Sequence, residues 1–184
     1  MTGTFYSIFD TAIGDCAVLW RDTGLTGVVL PAAHVAAMHA SINARAPSAV
    51  ESAQTGEIKT VILAIQRLCE GEPQTFADVR LDRSGVDPFA NRVYAVLEKT
   101  PFGETTTYGE IADALGGRHQ SRAVGAALGA NPFPIIIPCH RVIGANGKLG
   151  GFSAPGGSAA KRRLLEIEGA FRPDKLPLFA VVNA

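Results

Sequence analysis

Ile135-Ile136-Ile137-Pro138-Cys139-His140-Arg141-Val142 decides how the rest of this 184-residue chain is read. The apolar run predicts a buried strand, and the proline after it fixes the backbone where a thiol and an imidazole emerge side by side. Free cysteine is more often a small core hydrophobe than a nucleophile. A histidine beside it is weak evidence by itself, and Cys139 stands as the candidate nucleophile because of the motifs around it; a thiol, largely protonated near neutral pH, needs a base or a positive neighbourhood before it attacks. Side chains of neighbours in an extended segment point to opposite faces, so a water or a bend has to connect the two. Glu168, on a helix expected to begin near Ala159, either orients the imidazole as the third member of a relay or faces solvent.

Upstream, Tyr108 to Leu115 and Ser121 to Ala130 read as two short helices across the turn Gly116-Gly117-Arg118-His119-Gln120. That outline suits a helix-turn-helix or an ordinary αα-hairpin. The second helix narrows the choice. Apart from Ser121, Arg122, Val124 and Leu128 it consists of Ala123, Gly125, Ala126, Ala127, Gly129 and Ala130, a costly recipe because each interior glycine loses about 1 kcal/mol relative to alanine. Either another helix packs very close or this one enters a narrow space such as a DNA minor groove, and the lone Arg122 at its start fits the groove. Before this pair, Asp87-Pro88 predicts a helix start, with Phe89, Val93, Val96 and Leu97 as its apolar stripe.

At the other end of the chain, Phe5 to Phe9, Cys16 to Trp20 and Leu25 to Leu30 read as strands separated by Ile13-Gly14-Asp15 and Asp22-Thr23-Gly24, a three-stranded antiparallel meander. Ile58, Val61, Ile62, Ile65 and Leu68 recur at helical spacing between about Ala53 and Cys69, and Phe76 to Leu81 suggests a further strand. The chain therefore divides near residue 85. The expected class is α+β: a small N-terminal α/β domain (1–85, antiparallel sheet plus helix), then a mostly helical C-terminal domain (86–184) with the helix pair and the cysteine loop.

Hydrophobic residues make up 47% of the chain, ample for a core without staples. Cys16, Cys69 and Cys139 form no CxxC pair, so neither a disulfide framework nor a zinc ribbon is indicated, and Cys16 and Cys69 read as core residues. His34 and His39 lack partners at ligand spacing; no metal and no cofactor are expected. No apolar run is long enough to cross a bilayer and the N-terminus lacks a signal-peptide pattern, so a cytoplasmic location is expected. Net charge is zero, which by itself argues against a nucleic-acid partner. The halves differ, however: up to Gly85 six basic residues face nine acidic ones, and beyond it eleven face eight. A modest positive excess suits transient DNA contact.

Taken together, Pro138 to Val142, Tyr108-Gly109-Glu110, Arg122-Ala123-Val124-Gly125, Asn131-Pro132, Gly150-Gly151-Phe152 and Lys161 to Glu168 resemble the O6-alkylguanine-DNA alkyltransferases. The resemblance is strong from about Phe89 to Gly169 and confined to layout before Gly85. It implies a catalytic set of Cys139, His140, Glu168, Tyr108 and Asn131. In it Cys139 is the alkyl acceptor, a water joins it to His140 and Glu168, Tyr108 protonates or hydrogen-bonds the departing guanine, and Asn131 ties the recognition helix to the active-site segment. The implied DNA-binding set is Arg122, which enters the base stack as the damaged nucleotide is extruded, with Ala123, Gly125, Ala126 and Tyr108. Val142, Phe152 and Ser153 are implied to form the substrate pocket. The implied partner is double-stranded DNA containing O6-alkylguanine and, less efficiently, O4-alkylthymine, bound by a monomer through the minor groove.

Two departures stand out. Phe152 replaces the tyrosine that many members place against the flipped base, and Ala154-Pro155-Gly156-Gly157 lengthens the following loop by about two residues relative to the commonest pattern. The zinc-binding residues of some members' N-terminal domains have no counterparts. The alternative reading is a non-catalytic lesion sensor of the alkyltransferase-like kind. Such proteins lack the reactive cysteine that Cys139 supplies here.

Overall fold

The run Cys16-Ala17-Val18-Leu19 is apolar at consecutive positions, the pattern of a strand covered on both faces. In a computed structural model describing residues 3–54 and 56–171, this is the middle strand of the meander. Strands β1 (Phe5–Phe9), β2 (Cys16–Arg21) and β3 (Gly24–Val29) are antiparallel, and a two-residue strand β4 (Val50–Glu51) adds parallel to β1, giving the order β3-β2-β1-β4. On one face Val18, Leu25 and Val28 pack into the core with Val61, Ile62, Ile65 and Leu68 of helix α2 (Gly56–Cys69). On the other, Ala17, Leu19 and Val29 meet Met38 and Ile42 of α1 (Val35–Arg45).

Helix α1 is an addition to the elements expected from sequence. Its buried contribution is Met38 and Ile42 among alanines, too thin a stripe to announce a helix. His34 caps it, its Nδ1 accepting from the Ala37 amide at 3.2 Å, and His39 stands edge-on to the Tyr6 ring. The stretch Phe76 to Leu81 is not a strand: it is turn and loop, with a single bridge from Leu81 to Leu25. That loop nevertheless covers the β3 edge, since the Leu25 amide donates to the Arg80 carbonyl and the Asp82 amide to the Leu25 carbonyl. Cys16 and Cys69 are buried, and burial first of all pushes their thiols up to about 12 and about 11, leaving them inert.

The second half follows its predicted boundaries closely. Helix α3 (Pro88–Leu97) starts where Asp87 accepts from the Phe89 and Ala90 amides, with Pro88 in the first turn. Strand β5 (Thr106–Thr107) leads into α4 (Tyr108–Ala114), whose start is a capping box between Thr107 and Glu110. A 3-10 turn at Arg118–Gln120 precedes α5 (Ser121–Gly129). Strand β6 (Val142–Ile143) pairs with β5 in parallel, and α6 (Gly157–Ile167) completes the described fold. Tyr94 of α3 is buried and donates its hydroxyl proton to the Ala127 carbonyl at 2.8 Å, joining α3 to α5. One core cluster runs from Phe9 and Val18 through Val93 and Leu97 to Val124, Phe133 and Leu164. Among the described residues no helix is long and apolar enough to cross a membrane.

Replacing Asp87 by alanine leaves two first-turn amides of α3 without their acceptor. Urea unfolding of Asp87→Ala should show a loss of about 1 kcal/mol, and an unchanged midpoint would rule out the cap as a source of stability.

Candidate active site

Pro138 brings the chain out of the core, but Ile135 to Ile137 are turn rather than strand, and Cys139–Arg141 form a 3-10 turn. The bend matters: Cys139 and His140 do not sit on opposite faces of an extended strand as the sequence suggested. The Cys139 amide donates to the Ile137 carbonyl at 2.8 Å, and the Val142 amide closes the turn on the Cys139 carbonyl. The β5–β6 pairing then sets Thr107 opposite Ile143, which holds the start of α4, and with it Tyr108, beside the exit from the cysteine turn.

The thiol opens onto a cleft of about 340 Å³ lined by Tyr108, Gly125, Leu128, Gly129, Cys139 and the loop Gly151 to Ser153. Gly125 and Gly129 are the glycines that made α5 look costly. A Cβ on either would make only ordinary contacts, at 3.8 Å to Tyr108 and 3.6 Å to Ser153, so no close-packed helix explains them and the open cleft does. Gly150 is different: its φ of +70° and the 3.1 Å between an added Cβ and the Tyr108 hydroxyl leave room for nothing larger. Arg122, Ala123 and Ala126 lie exposed on the outer side of α5. Val142 does not line the cleft; it is buried, and its carbonyl accepts from Lys161. Phe152 and Ser153 do line it, Ser153 donating to the Gly129 carbonyl at 2.8 Å.

Behind the thiol the polar groups are interlocked. His140 is wholly buried, with Nε2 at 2.9 Å from Glu168 Oε1. Arg141 grips the same carboxylate at both oxygens, Nε and Nη2 each at 2.9 Å, while its Nη1 donates to the Thr100 carbonyl. Burial pushes the Glu168 pKa up, but the hydrogen bonds and charges of His140 and Arg141 outweigh it and bring it down to about 2. Burial lowers His140, against the opposing pull of Glu168, so the ring is neutral at pH 7. With Glu168 ionised, Nε2 carries the proton and Nδ1 is left as an acceptor; it is buried without a protein partner among the described residues.

Cys139 is only 7% exposed, and burial raises its pKa, countered by a hydrogen bond with Asn131 and by the charge of Lys161. Asn131 meanwhile donates to the Ile137 carbonyl and accepts from the Phe133 amide, stitching the end of α5 to the cysteine segment. Lys161 and Arg141 were missed as site residues. Lys161 is fully buried, donates to the Val142 carbonyl at 2.6 Å and lies 6.0 Å from the Tyr108 ring centre; burial brings it down to about 8. The available signal was spacing: Lys161 on α6 and Glu168 at its C-cap are seven apart, on the stripe of Leu164 and Leu165, so one helix face carries two charges into the core. Among the described residues no group of His, Cys, Asp and Glu gathers as a metal site.

The depressed Glu168 pKa makes a sign-definite prediction. Its stabilisation is complete above the ordinary carboxylate value and fades as pH falls towards about 2. Glu168→Gln should cost about 3 kcal/mol at neutral pH and flatten the acid side of the stability curve; a curve parallel to that of the natural chain would overturn the assignment.

Comparison with known proteins agrees with this geometry. Residues 88–170 match the family model for the 6-O-methylguanine DNA methyltransferase, DNA binding domain. A methylated-DNA--protein-cysteine methyltransferase of Mycobacterium bovis is 54% identical over 102 residues, a match spanning 55% of this chain and 60% of that protein's length. The protein of the same name from Methanosarcina acetivorans is 37% identical over 167 residues, covering 90% of this chain and 99% of the relative. The structure of Mycobacterium tuberculosis OGT in complex with DNA superimposes with a TM-score of 0.73 at 36% identity, over 90% of this chain and 93% of the other. The O6-methylguanine-DNA methyltransferase of Pyrococcus kodakaraensis gives 0.70 at 27% identity, over 89% and 99%. With a relative matched over nearly its whole length and the same fold in solved members, this chain belongs to the methylated-DNA--protein-cysteine methyltransferase family.

Proposed function

We propose that the chain repairs O6-alkylguanine in duplex DNA by direct transfer of the alkyl group to Cys139, once per molecule. The observation that carries this reading is the placing of the thiol: it faces a cleft walled by Tyr108 and Phe152, while the imidazole behind it is locked to an ionised carboxylate. In the proposed sequence a water between Cys139 and His140 Nδ1 passes the thiol proton to the imidazole, and the Glu168 carboxylate, itself held in place by Arg141, stabilises the resulting cation. The thiolate attacks the alkyl carbon, a carbon–sulfur bond forms as the carbon–oxygen bond breaks, and the electron pair leaves on guanine. Tyr108, whose pKa burial raises and which therefore keeps its proton, donates to the departing base. The thioether is not reversed by water, so the thiol is consumed.

Delivery of the base falls to α5. Its exposed face of Arg122, Ala123 and Ala126 suits the minor groove, and the Arg122 guanidinium takes the place of the extruded nucleotide in the stack. Phe152 packs on the flipped base without a hydroxyl contact. A monomer suffices, since every proposed group comes from one chain. The division at residue 85 then separates a supporting half from the half that carries the chemistry. The OGT–DNA complex supports DNA as the partner.

Incubation with an O6-methylguanine oligonucleotide should add one methyl mass to the Cys139 peptide; tight binding with unchanged mass would replace repair by lesion sensing. Cys139→Ser should bind the duplex and transfer nothing. For Arg122→Ala the expected outcome is slower transfer from duplex DNA with little loss on a free alkylated base, and equal losses on both would remove the stacking role.

A further inference from the structure

The segment from Asn131 to Cys139 joins α5 to the thiol, and its backbone is strained. Ile135 sits at φ 74°, the one non-glycine residue in the left-handed region among those described. For a β-branched residue that conformation persists only where the surroundings over-determine it. On one side Ile135, Ile136, Pro138 and Arg141, though buried, border a cavity of about 630 Å³. The opposite side supplies the hold. The Pro132 carbonyl accepts two hydrogen bonds from the first half of the chain, from the Val28 amide of β3 at 2.9 Å and from Arg45 Nη1 at the end of α1 at 2.9 Å. Gly27 admits both, because an added Cβ would stand 3.1 Å from Arg45 Nη1 and 3.2 Å from the Pro132 oxygen. From Pro132 the restraint passes through its neighbours, Asn131 holding the Ile137 carbonyl and the Phe133 amide, and Ile137 accepting from the Cys139 amide.

We propose that Arg45 is a positioning residue for alkyl transfer: through the Pro132 carbonyl it holds the strained Asn131 to Cys139 segment in the conformation that presents the thiol to the cleft. The proposal rests on the reaction described above. Arg45 lies at the surface and outside the cleft, so its influence reaches Cys139 only through that segment. The first half of the chain thereby acts on the chemistry without placing a residue in the cleft.

The test compares Arg45→Met and Arg45→Lys with the natural chain in single-turnover methyl transfer from an O6-methylguanine duplex, in hydrogen exchange of peptides spanning 131–141, and in thermal melting. Arg45→Met should slow transfer about three- to tenfold, the weight of one hydrogen bond, and speed exchange in 131–141 relative to α2 and α3. Arg45→Lys, which keeps a donor, should recover part of both. Exchange rising evenly along the whole chain with a lower melting temperature would reduce Arg45 to general stability and overturn the proposal. Slower transfer with local exchange unchanged, or no change in either, overturns it as well. If the natural chain transfers no methyl group, the reaction itself falls, and the exchange comparison still decides whether Arg45 holds the segment.

Discussion

A single buried carboxylate organises the active half of this molecule. Glu168 takes three nitrogen donors within 2.9 Å from two consecutive residues, His140 and Arg141, at the far end of the helix whose earlier turn buries Lys161. Removing such a carboxylate from water costs several kcal/mol, and only paired, hydrogen-bonded geometry offsets that. Arg141 is what makes the arrangement tenable, for a neutral imidazole alone would leave the negative charge uncompensated. The same grip defines the chemistry. An acid held at about 2 gives up no proton near neutral pH, so Glu168 orients the ring and fixes its tautomer. The lone pair on Nδ1 is then left without a protein partner among the described residues, as the proposed relay requires.

Much of this was legible in the sequence, for reasons that differ by element. The strands of the meander declare themselves through apolar runs between glycine and aspartate turns, and α3 through its Asp87-Pro88 start. Helix α1 does not, because its two buried residues, four apart, are lost among alanines that fit any environment. Phe76 to Leu81 carries strand-like composition but makes one bridge, since a loop lying along a sheet edge satisfies the same apolar contacts without a ladder. At the site, Cys139, His140 and Tyr108 could be read from their own chemistry or from the family resemblance. Lys161 and Arg141 could not, since a charged residue in sequence reads as solvated until the fold shows what it faces.

The neutral net charge conceals how charge is used. Arg122 stands exposed at the start of α5, whereas Lys161 is wholly buried behind the thiol. The first acts through water and is open to screening; the second acts in a medium where a charge carries much further. Burial raises the Cys139 pKa and lowers that of Lys161, disfavouring both ionised forms, and the charge of each opposes this by favouring the ionised form of the other. A site built this way needs no large positive surface, consistent with the even balance of acidic and basic residues over the chain.

The covering of β3 has a consequence for how the protein behaves among its own copies. A sheet's outer strand usually offers unpaired amides and carbonyls that another chain can adopt as a template for growth. Here the Leu25 amide and carbonyl are taken by the loop at Arg80 and Asp82, and the Val28 amide by Pro132. At the opposite margin β4 is only two residues long. Between them the two margins leave little on which intermolecular β-pairing could begin, so this sheet is protected against edge-to-edge aggregation by contacts of which one, to Pro132, also reaches the segment that leads to Cys139.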